Sequence, residues 1–333
     1  MQRETKIILS IFGILIFIFF FIKIISIPPL VSPAKLVEIP ENKNAYEIGK
    51  LLKEEGIIRS VKLFLFLTKR YNVQKKLKSG IYEFSGRTPL KKVIEKLVKG
   101  EIALVRITIP EGANIYEIAE ILKRAGLIKN KNEFIEYAKE KNLEGFLFPD
   151  TYYFPYNISI EGICLKMWKR FKDVFEEIYD EEINEKNWKE VKKIVTIASI
   201  VEKEAGLTSE RKIIAGIIYK RLKKNIPIES CATVEYALGY RKKRLKKSDL
   251  KIKSPYNTYI HKGLPPTPIC NPGKNSLIAA LNPAKTDYMF FLSKGDGTNY
   301  FSKTYSEHLE AIKTYLSNKT NSETKNLTEE LEK

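Results

Sequence analysis

The chain has 333 residues, enough for two or three domains, and its hydrophobic fraction of 44% argues against a chain that is disordered throughout. The net charge of +18 favours an anionic partner such as nucleic acid, anionic lipid or an acidic wall polymer, with a solvated lysine-rich surface as the alternative. Three widely spaced cysteines and two histidines argue against a disulfide framework and a zinc site, so we expect no metal and no cofactor, and the pairing of Cys231 with Cys270 stays open.

The first predicted element is a membrane-spanning helix at residues 7–27, whose apolar run is long enough to cross a hydrocarbon core of about 30 Å. Arg3 and Lys6 precede it, which predicts a cytoplasmic N-terminus. The alternative is a cleaved signal peptide, but the run is longer than a usual signal and no A-x-A-like site follows. We therefore predict a single-pass protein of the inner (plasma) membrane, with residues 1–27 as tip and anchor. Because the bulk then lies outside the cytoplasm, nucleic acid is not an expected partner.

Residues 37–58 and 107–128 form an internal repeat with a constant offset of 70 residues. Each copy reads as a short strand with alternating apolar residues, a Pro-Glu turn, an asparagine N-cap and an amphipathic helix ended by glycine. One interpretation is a pair of similar βα pieces in one α+β core. The other is a sugar-binding module, since the letters IPEG and YEIA of the second copy resemble LysM-like modules of wall-binding proteins. On that interpretation the module covers about residues 105–142.

Further elements are expected around the two copies. The pattern predicts a helix from Val61 to Thr68, a strand from Gly80 to Phe84, a helix from Leu90 to Lys99, helical character from 130 to Leu147, and one or two helices within 158–188. The tail after about Ser317 has little apolar surface to bury, which predicts disorder for residues 318–333.

The sequence from Val191 to Gly206 predicts a buried helix whose last turn carries Glu202 and Glu204, with the glycine as its stop. The negative end of the helix dipole and partial burial both raise the pKa of a carboxyl there, as a general acid requires. The spacing does not choose between the two glutamates. The alternative is that both are ordinary helix-end acids, paired with Lys203 or another nearby base.

Seven sequence motifs follow one another along the chain between residues 144 and 291. They read EGFLFPDTYYFP (144–155), ASIVEKEAG (198–206), SER (209–211), SCATVEYALG (230–239), SPYNTY (254–259), GLPPTPICNPG (263–273) and NPAKTDYMFF (282–291). Together they resemble the YceG-like family, the endolytic murein transglycosylases. The resemblance covers nearly the whole chain. It implies a βα repeat region at 28–142, a transglycosylase catalytic domain at 143–317 and then the tail.

The resemblance also implies a catalytic residue and a reaction. The family's catalytic acid is the second glutamate of the E-K-E motif, which is Glu204 here, and Glu202 becomes a supporting residue. Glu204 would protonate the bond between N-acetylmuramic acid and N-acetylglucosamine, and then accept the proton of the muramic C6 hydroxyl as that tethered group attacks C1. The ends formed are 1,6-anhydro-muramoyl. Polar residues of the matched motifs are predicted to hold the sugar, namely Ser230, Thr233, Tyr256, Asn257 and Thr258, with core packing as the alternative for Tyr256.

We thus predict an α+β protein with one N-terminal transmembrane helix, a LysM-like βα region and a C-terminal mixed α/β catalytic domain. Its expected partners are nascent peptidoglycan glycan strands, the membrane and cell-wall synthesis proteins. One departure from the family is Glu229 in place of glutamine, which adds a carboxylate near the predicted groove. Two alternatives stay open: a non-catalytic wall-binding or scaffold protein that uses the repeats, and a binder of anionic polymers that uses the basic stretch at 241–253.

Overall fold

The computed structural model describes residues 28–240, 245–246 and 248–315. Helices and three two-stranded sheets make up this part of the chain, which confirms the mixed α and β class. The predicted membrane span at 7–27 and the predicted tail at 318–333 lie outside the described residues. Within the described ranges, no helix is long and apolar enough to cross a membrane.

The described chain forms two compact units. The first comprises the residues up to Val105 together with Tyr153–Ile158, and the second comprises Arg106–Tyr152 and the residues from Ser159 onward. This division does not coincide with the predicted boundary between residues 142 and 143. Most of the second repeat copy belongs to the same unit as the region predicted to be catalytic.

The two repeat copies have the same order of elements. The first consists of strand β1 (Val31–Ile39), helices α1 (Ala45–Glu54) and α2 (Val61–Arg70), and strand β2 (Gly80–Gly86), which pairs antiparallel with β1. After α3 (Leu90–Lys99) the second consists of β3 (Leu104–Thr108), α4 (Ile115–Arg124), α5 (Lys131–Glu140) and β4 (Thr151–Pro155), with β3 paired to β4. Each copy is therefore a βααβ unit, which is longer than the predicted βα unit.

Equivalent residues 70 positions apart have equivalent local structure. Asn44 and Asn114 cap α1 and α4, each in a capping box with the glutamate three residues later. The same offset relates two further pairs: Asn72 and Asn142 with positive φ, and Tyr82 and Tyr152, whose hydroxyls donate to the carbonyl four residues earlier. The prediction that helical character continues to Leu147 is wrong, because α5 ends at Glu140 and Asn142 turns the chain with φ 53°.

Alternating burial in the paired strands forms the core of the first unit. Val37 and Ile39 of β1 are buried, as are Tyr82 and Phe84 of β2, while their neighbours in sequence face outward. Apolar residues of α1, α2 and α3 complete this core. The predicted period of two in the strand of the first copy is thereby confirmed.

The second unit also contains the C-terminal elements. These are α6 (Ile160–Tyr179), α7 (Trp188–Glu204), α8 (Thr208–Lys223), α9 (Cys231–Leu238), α10 (Lys274–Leu281), strands β5 (Phe290–Ser293) and β6 (Asn299–Ser302), and a helical segment at 305–315. Every residue of α7 from 194 to 201 is buried, so this helix is enclosed by the core on all sides. The predicted buried helix is confirmed, and its apolar surface is wider than one face.

The end of α7 is shaped differently from the prediction. The helix ends at Glu204, and its C-cap Ala205 is extended, with φ −82° and ψ 119°. Gly206 does not form a left-handed stop. A Cβ at this position would overlap the carbonyl oxygen of Gly297, so glycine is needed because two loops approach closely here. This contact fixes the path of the chain directly after Glu204.

Candidate active site

Glu204, at the last position of α7, lies against the first turn of α9. Its Oε1 accepts a hydrogen bond from the Ser230 hydroxyl at 2.5 Å and another from the Ala232 amide at 3.2 Å. Burial raises the pKa of the Glu204 carboxyl, while the hydrogen bonds from Ser230 and Ala232 act in the opposite direction. Glu204 therefore holds a proton more readily than an ordinary glutamate, yet has donors ready for its ionised form. A group that first gives and then takes a proton needs both properties.

Glu202 has a different environment from Glu204, although only one residue separates them. Its side chain is 6% exposed and forms an ion pair with Arg211 of α8 at 3.0 Å. The amide of Gly273, just before α10, donates to its other oxygen at 2.9 Å. Pairing with a base is thus confirmed for Glu202, although the base is Arg211, while Lys203 lies 4.0 Å from Glu117. We conclude that Glu202 joins the end of α7 to neighbouring elements.

Three of the residues predicted to hold sugar form a buried layer behind Glu204. The Ser230 amide donates to Thr258 Oγ1 at 3.0 Å, and Thr233 Oγ1 lies 2.7 Å from the Ser230 carbonyl and 2.9 Å from Thr258 Oγ1. Asn257 is also buried and donates to two carbonyls of the preceding loop. All four side chains are buried and bonded to protein atoms, so they are placed to position Glu204 and its loops. The sugar-holding role predicted for them stays a prediction.

A groove begins beside the Glu204 carboxylate. A cavity of about 250 Å³ is lined by Ala232, whose amide contacts Glu204, and by Tyr116 of α4 and Tyr236 of α9. Both tyrosines also line a second cavity of about 490 Å³, together with Tyr256. The ring centroids of Tyr236 and Tyr256 are 4.9 Å apart. Tyr256 is therefore the member of the predicted sugar-holding set that lines an aromatic groove.

Glu144 lies in the wall of the groove, and the sequence did not identify this residue as functional. Its buried carboxyl accepts hydrogen bonds from the Ile115 amide at 3.2 Å, the Tyr236 hydroxyl at 2.9 Å and the Asn271 side-chain amide at 3.3 Å. Burial raises the pKa of Glu144 to about 7, although the hydrogen bonds from Ile115 and Tyr236 act against the shift. The available signal was a charged residue directly before the apolar run GFLF at 145–148. Glu144 links α4 to α9 across the floor of the groove.

Replacing Glu144 by glutamine should weaken the pH dependence of stability. The folded-state pKa of about 7 lies above the ordinary value of 4.5, so the folded state retains this proton more strongly than the unfolded state. Its contribution to stability is therefore lost as pH rises from about 4.5 to 7, by at most about 3 kcal/mol. Urea unfolding between these pH values should show a smaller loss for Glu144→Gln. The exposed Glu136→Gln serves as the control, and equal slopes for the two variants would contradict the assignment.

Two further sequence features have definite positions. The Glu229 carboxylate forms an ion pair with the buried Arg221 at 2.5 Å, so the extra charge relative to the family pattern is paired. Cys164, Cys231 and Cys270 are free thiols, which answers the open question about pairing. Part of the basic stretch, at 241–244 and 247, lies outside the described residues.

Comparisons with known proteins agree with one another. The family model of the YceG-like family matches residues 37–314. The endolytic murein transglycosylase of Bacillus subtilis (strain 168) is 37% identical over an alignment of 311 residues, and the match covers 85% of this chain and 85% of that one. That of Streptococcus pneumoniae (strain ATCC BAA-255 / R6) is 30% identical, and the match covers 86% of this chain but 59% of the relative. A crystal structure of a YceG-like protein from Listeria monocytogenes is 33% identical, with a TM-score of 0.55 over 84% of this chain and 99% of that chain.

Proposed function

Because this chain belongs to the YceG-like family, we propose that it is an endolytic murein transglycosylase, a lytic transglycosylase that acts on the glycan strands of peptidoglycan. The observation that carries this proposal is Glu204, a half-buried carboxyl with a raised pKa beside an aromatic groove. An acid at such a position can donate a proton to a bound substrate. Aromatic rings along the groove suit the apolar faces of sugar rings.

The proposed reaction uses Glu204 first as acid and then as base. Its proton, which we place on Oε2, passes to the oxygen of the bond between N-acetylmuramic acid and N-acetylglucosamine, and that bond breaks. The C1 centre of the muramic ring becomes oxocarbenium-like, while the Ser230 hydroxyl and the Ala232 amide stabilise the ionised carboxylate at Oε1. Glu204 then accepts the proton of the muramic C6 hydroxyl as its oxygen bonds to C1. The product is a 1,6-anhydro-muramoyl end, and Glu204 is protonated again.

The tethered nucleophile explains how one carboxyl could be sufficient. Ordinary glycosidases use two carboxyl groups, one of which activates water or attacks the sugar. Here the C6 hydroxyl belongs to the same ring that it attacks. Its high effective concentration makes a second carboxyl group unnecessary. The second carboxylate of the E-K-E motif, Glu202, is already paired with Arg211, which supports a structural role for it.

We also propose where the protein acts. The apolar segment at 7–27 would anchor it in the plasma membrane with a cytoplasmic N-terminus, so that nascent strands near the membrane are cut and cell-wall synthesis proteins are neighbours. The second repeat copy, interpreted as LysM-like, would bind sugar through Tyr116 on its side of the groove. The first copy has Tyr46 at the equivalent, exposed position.

Incubation of the full-length protein with purified peptidoglycan, followed by mass analysis, tests the proposal. We expect internal fragments that end in 1,6-anhydro-muramic acid. Reducing ends would instead mean a hydrolase with a water nucleophile. Binding without any cleavage would favour the scaffold alternative. Binding that weakens steeply with salt and is lost on neutralising Arg241 to Lys247 would favour a binder of anionic polymers.

A further inference from the structure

A cavity of about 400 Å³ in the second unit lies at the N-terminal end of α7, whereas Glu204 is at the C-terminal end of the same helix. Its walls include the indole rings of Trp168 and Trp188 and the ring of Phe146, and Asn184 and Glu185 lie at its edge. Large aromatic surfaces with a few polar groups at the rim are typical of ligand sites. The mechanism proposed for Glu204 uses none of these residues.

This cavity is related to the groove beside Glu204 through shared lining residues. The cavity lined by Tyr116, Tyr236 and Tyr256 shares Asn142 and Thr267 with a smaller cavity of about 150 Å³. That smaller cavity also contains Trp188, and so does the cavity of about 400 Å³. A series of neighbouring cavities with shared lining residues thus extends from Ala232 to the tryptophans.

We propose that the two tryptophans form a remote subsite for the glycan strand, occupied by sugars several residues away from the bond that is cut. This rests on the proposed function. Trp188 is the first and Glu204 the last residue of the 17-residue helix α7, so roughly 25 Å separate them along its axis. An enzyme that cuts inside strands has substrate on both sides of the bond, and the series of cavities with shared lining residues extends from the groove toward the tryptophans.

The chemistry of the cavity fits sugar rings. Indole faces offer broad apolar surface to the C–H faces of a pyranose, while their polar edges tolerate water. The carboxylate of Glu185, which is exposed at the rim, can accept hydrogen bonds from sugar hydroxyl or acetamido groups. Trp188 lies 5.0 Å from Phe146, measured between ring centroids, so its ring is held in place before a ligand arrives.

Intrinsic fluorescence tests the proposal directly, because Trp168 and Trp188 are the two tryptophans of the whole chain. The full-length Glu204→Gln variant is titrated with stem-peptide-free glycan strands that are either long or a single disaccharide repeat. We expect long strands to shift the tryptophan emission and the single repeat to leave it unchanged. Long strands that bind without any change in emission would overturn the subsite.

Substitutions of residues that line the cavity provide a second measurement. Glu185→Ala and Trp168→Phe in the otherwise unchanged protein should raise KM for long strands by roughly three- to tenfold without lowering kcat, as expected for one lost contact. Glu181→Ala, an exposed residue of the same loop that does not line the cavity, is the matched control. If Glu185→Ala and Trp168→Phe have the same KM for long strands as this control, the subsite is refuted. If Glu204→Gln still cut strands, the catalytic assignment would fail, while the emission shift would still support the subsite.

Discussion

Replacing Glu204 by glutamine should lower the rate of glycan cutting by about 10²- to 10⁴-fold, the usual contribution of a general acid and base. The amide cannot donate the proton that the leaving oxygen needs. Its oxygen can still accept the hydrogen bonds from Ser230 and Ala232, so the groove and the fold should persist. The measurement is the rate of formation of 1,6-anhydro ends by full-length protein, together with strand binding and the unfolding midpoint.

Glu202→Gln is the matched control, since it removes a carboxylate two positions away in the same helical turn. It leaves Arg211 without its ion-pair partner in a largely buried position, so we expect a loss of stability of about 3 kcal/mol. The folded fraction should still cut strands at a rate close to that of the unchanged protein. Equal loss of rate in both variants, or an active Glu204→Gln, would mean that Glu204 is not the acid.

The pH profile gives a further readout of the same substitution. Because burial raises the pKa of Glu204, its acid form persists to higher pH than in an ordinary glutamate. The alkaline limb of kcat/KM reports this pKa, since the reaction starts from the protonated form. That limb should be absent from the residual activity of Glu204→Gln. Glu144, in the groove wall, has a pKa of about 7 and titrates independently of Glu204. Any pH dependence that comes from Glu144 should therefore remain in the Glu204→Gln variant.

Part of this structure could be predicted from the sequence because it depends on local patterns. The offset of 70 residues, the capping asparagines and the helix that ends in E-K-E all follow from periodicity and end signals. The extension of the repeat through α2, α5 and the second strand of each copy was harder to recognise, because most side chains there differ. A few positions are identical, among them the left-handed Asn72 and Asn142 and the buried Tyr82 and Tyr152.

The functional roles of polar residues were harder to predict. Ser230, Thr233 and Thr258 have the residue types of a sugar site, but tertiary packing decides whether a hydroxyl faces substrate or supports a neighbour. Here all three are buried. Conversely, Glu144 begins the motif EGFLFPDTYYFP and directly precedes an apolar run, but neither feature shows which side chains it contacts. Its importance follows from partners at 115, 236 and 271, which are distant in sequence.

Asn271 shows how the second repeat copy is built into the unit that holds Glu204. Its side-chain oxygen accepts a hydrogen bond from the Leu147 amide at 2.7 Å, and its side-chain amide donates to the Ala113 carbonyl at 2.8 Å. Its main chain exchanges hydrogen bonds of 2.9 Å with the turn at 112–113. The residue is fully buried, so water cannot replace these partners. One side chain thus joins the turn before α4, the Glu144 loop and the segment leading to α10.

Replacing Asn271 by alanine should destabilise this unit by about 3 kcal/mol, since a buried amide and a buried carbonyl lose their partners. Urea unfolding of the full-length protein measures the loss, and Asn282→Ala, at an exposed position after α10, should stay within about 0.5 kcal/mol of the unchanged protein. Asn271→Asp keeps the acceptor for Leu147 but places a second carboxyl beside Glu144. Its deficit should therefore grow as pH rises above about 4, the ordinary pKa of an aspartate, because two neighbouring buried carboxyls resist ionising together. A pH-independent deficit would show that Asn271 and Glu144 are not coupled, and the groove wall would then depend on the main-chain bonds at 112–113.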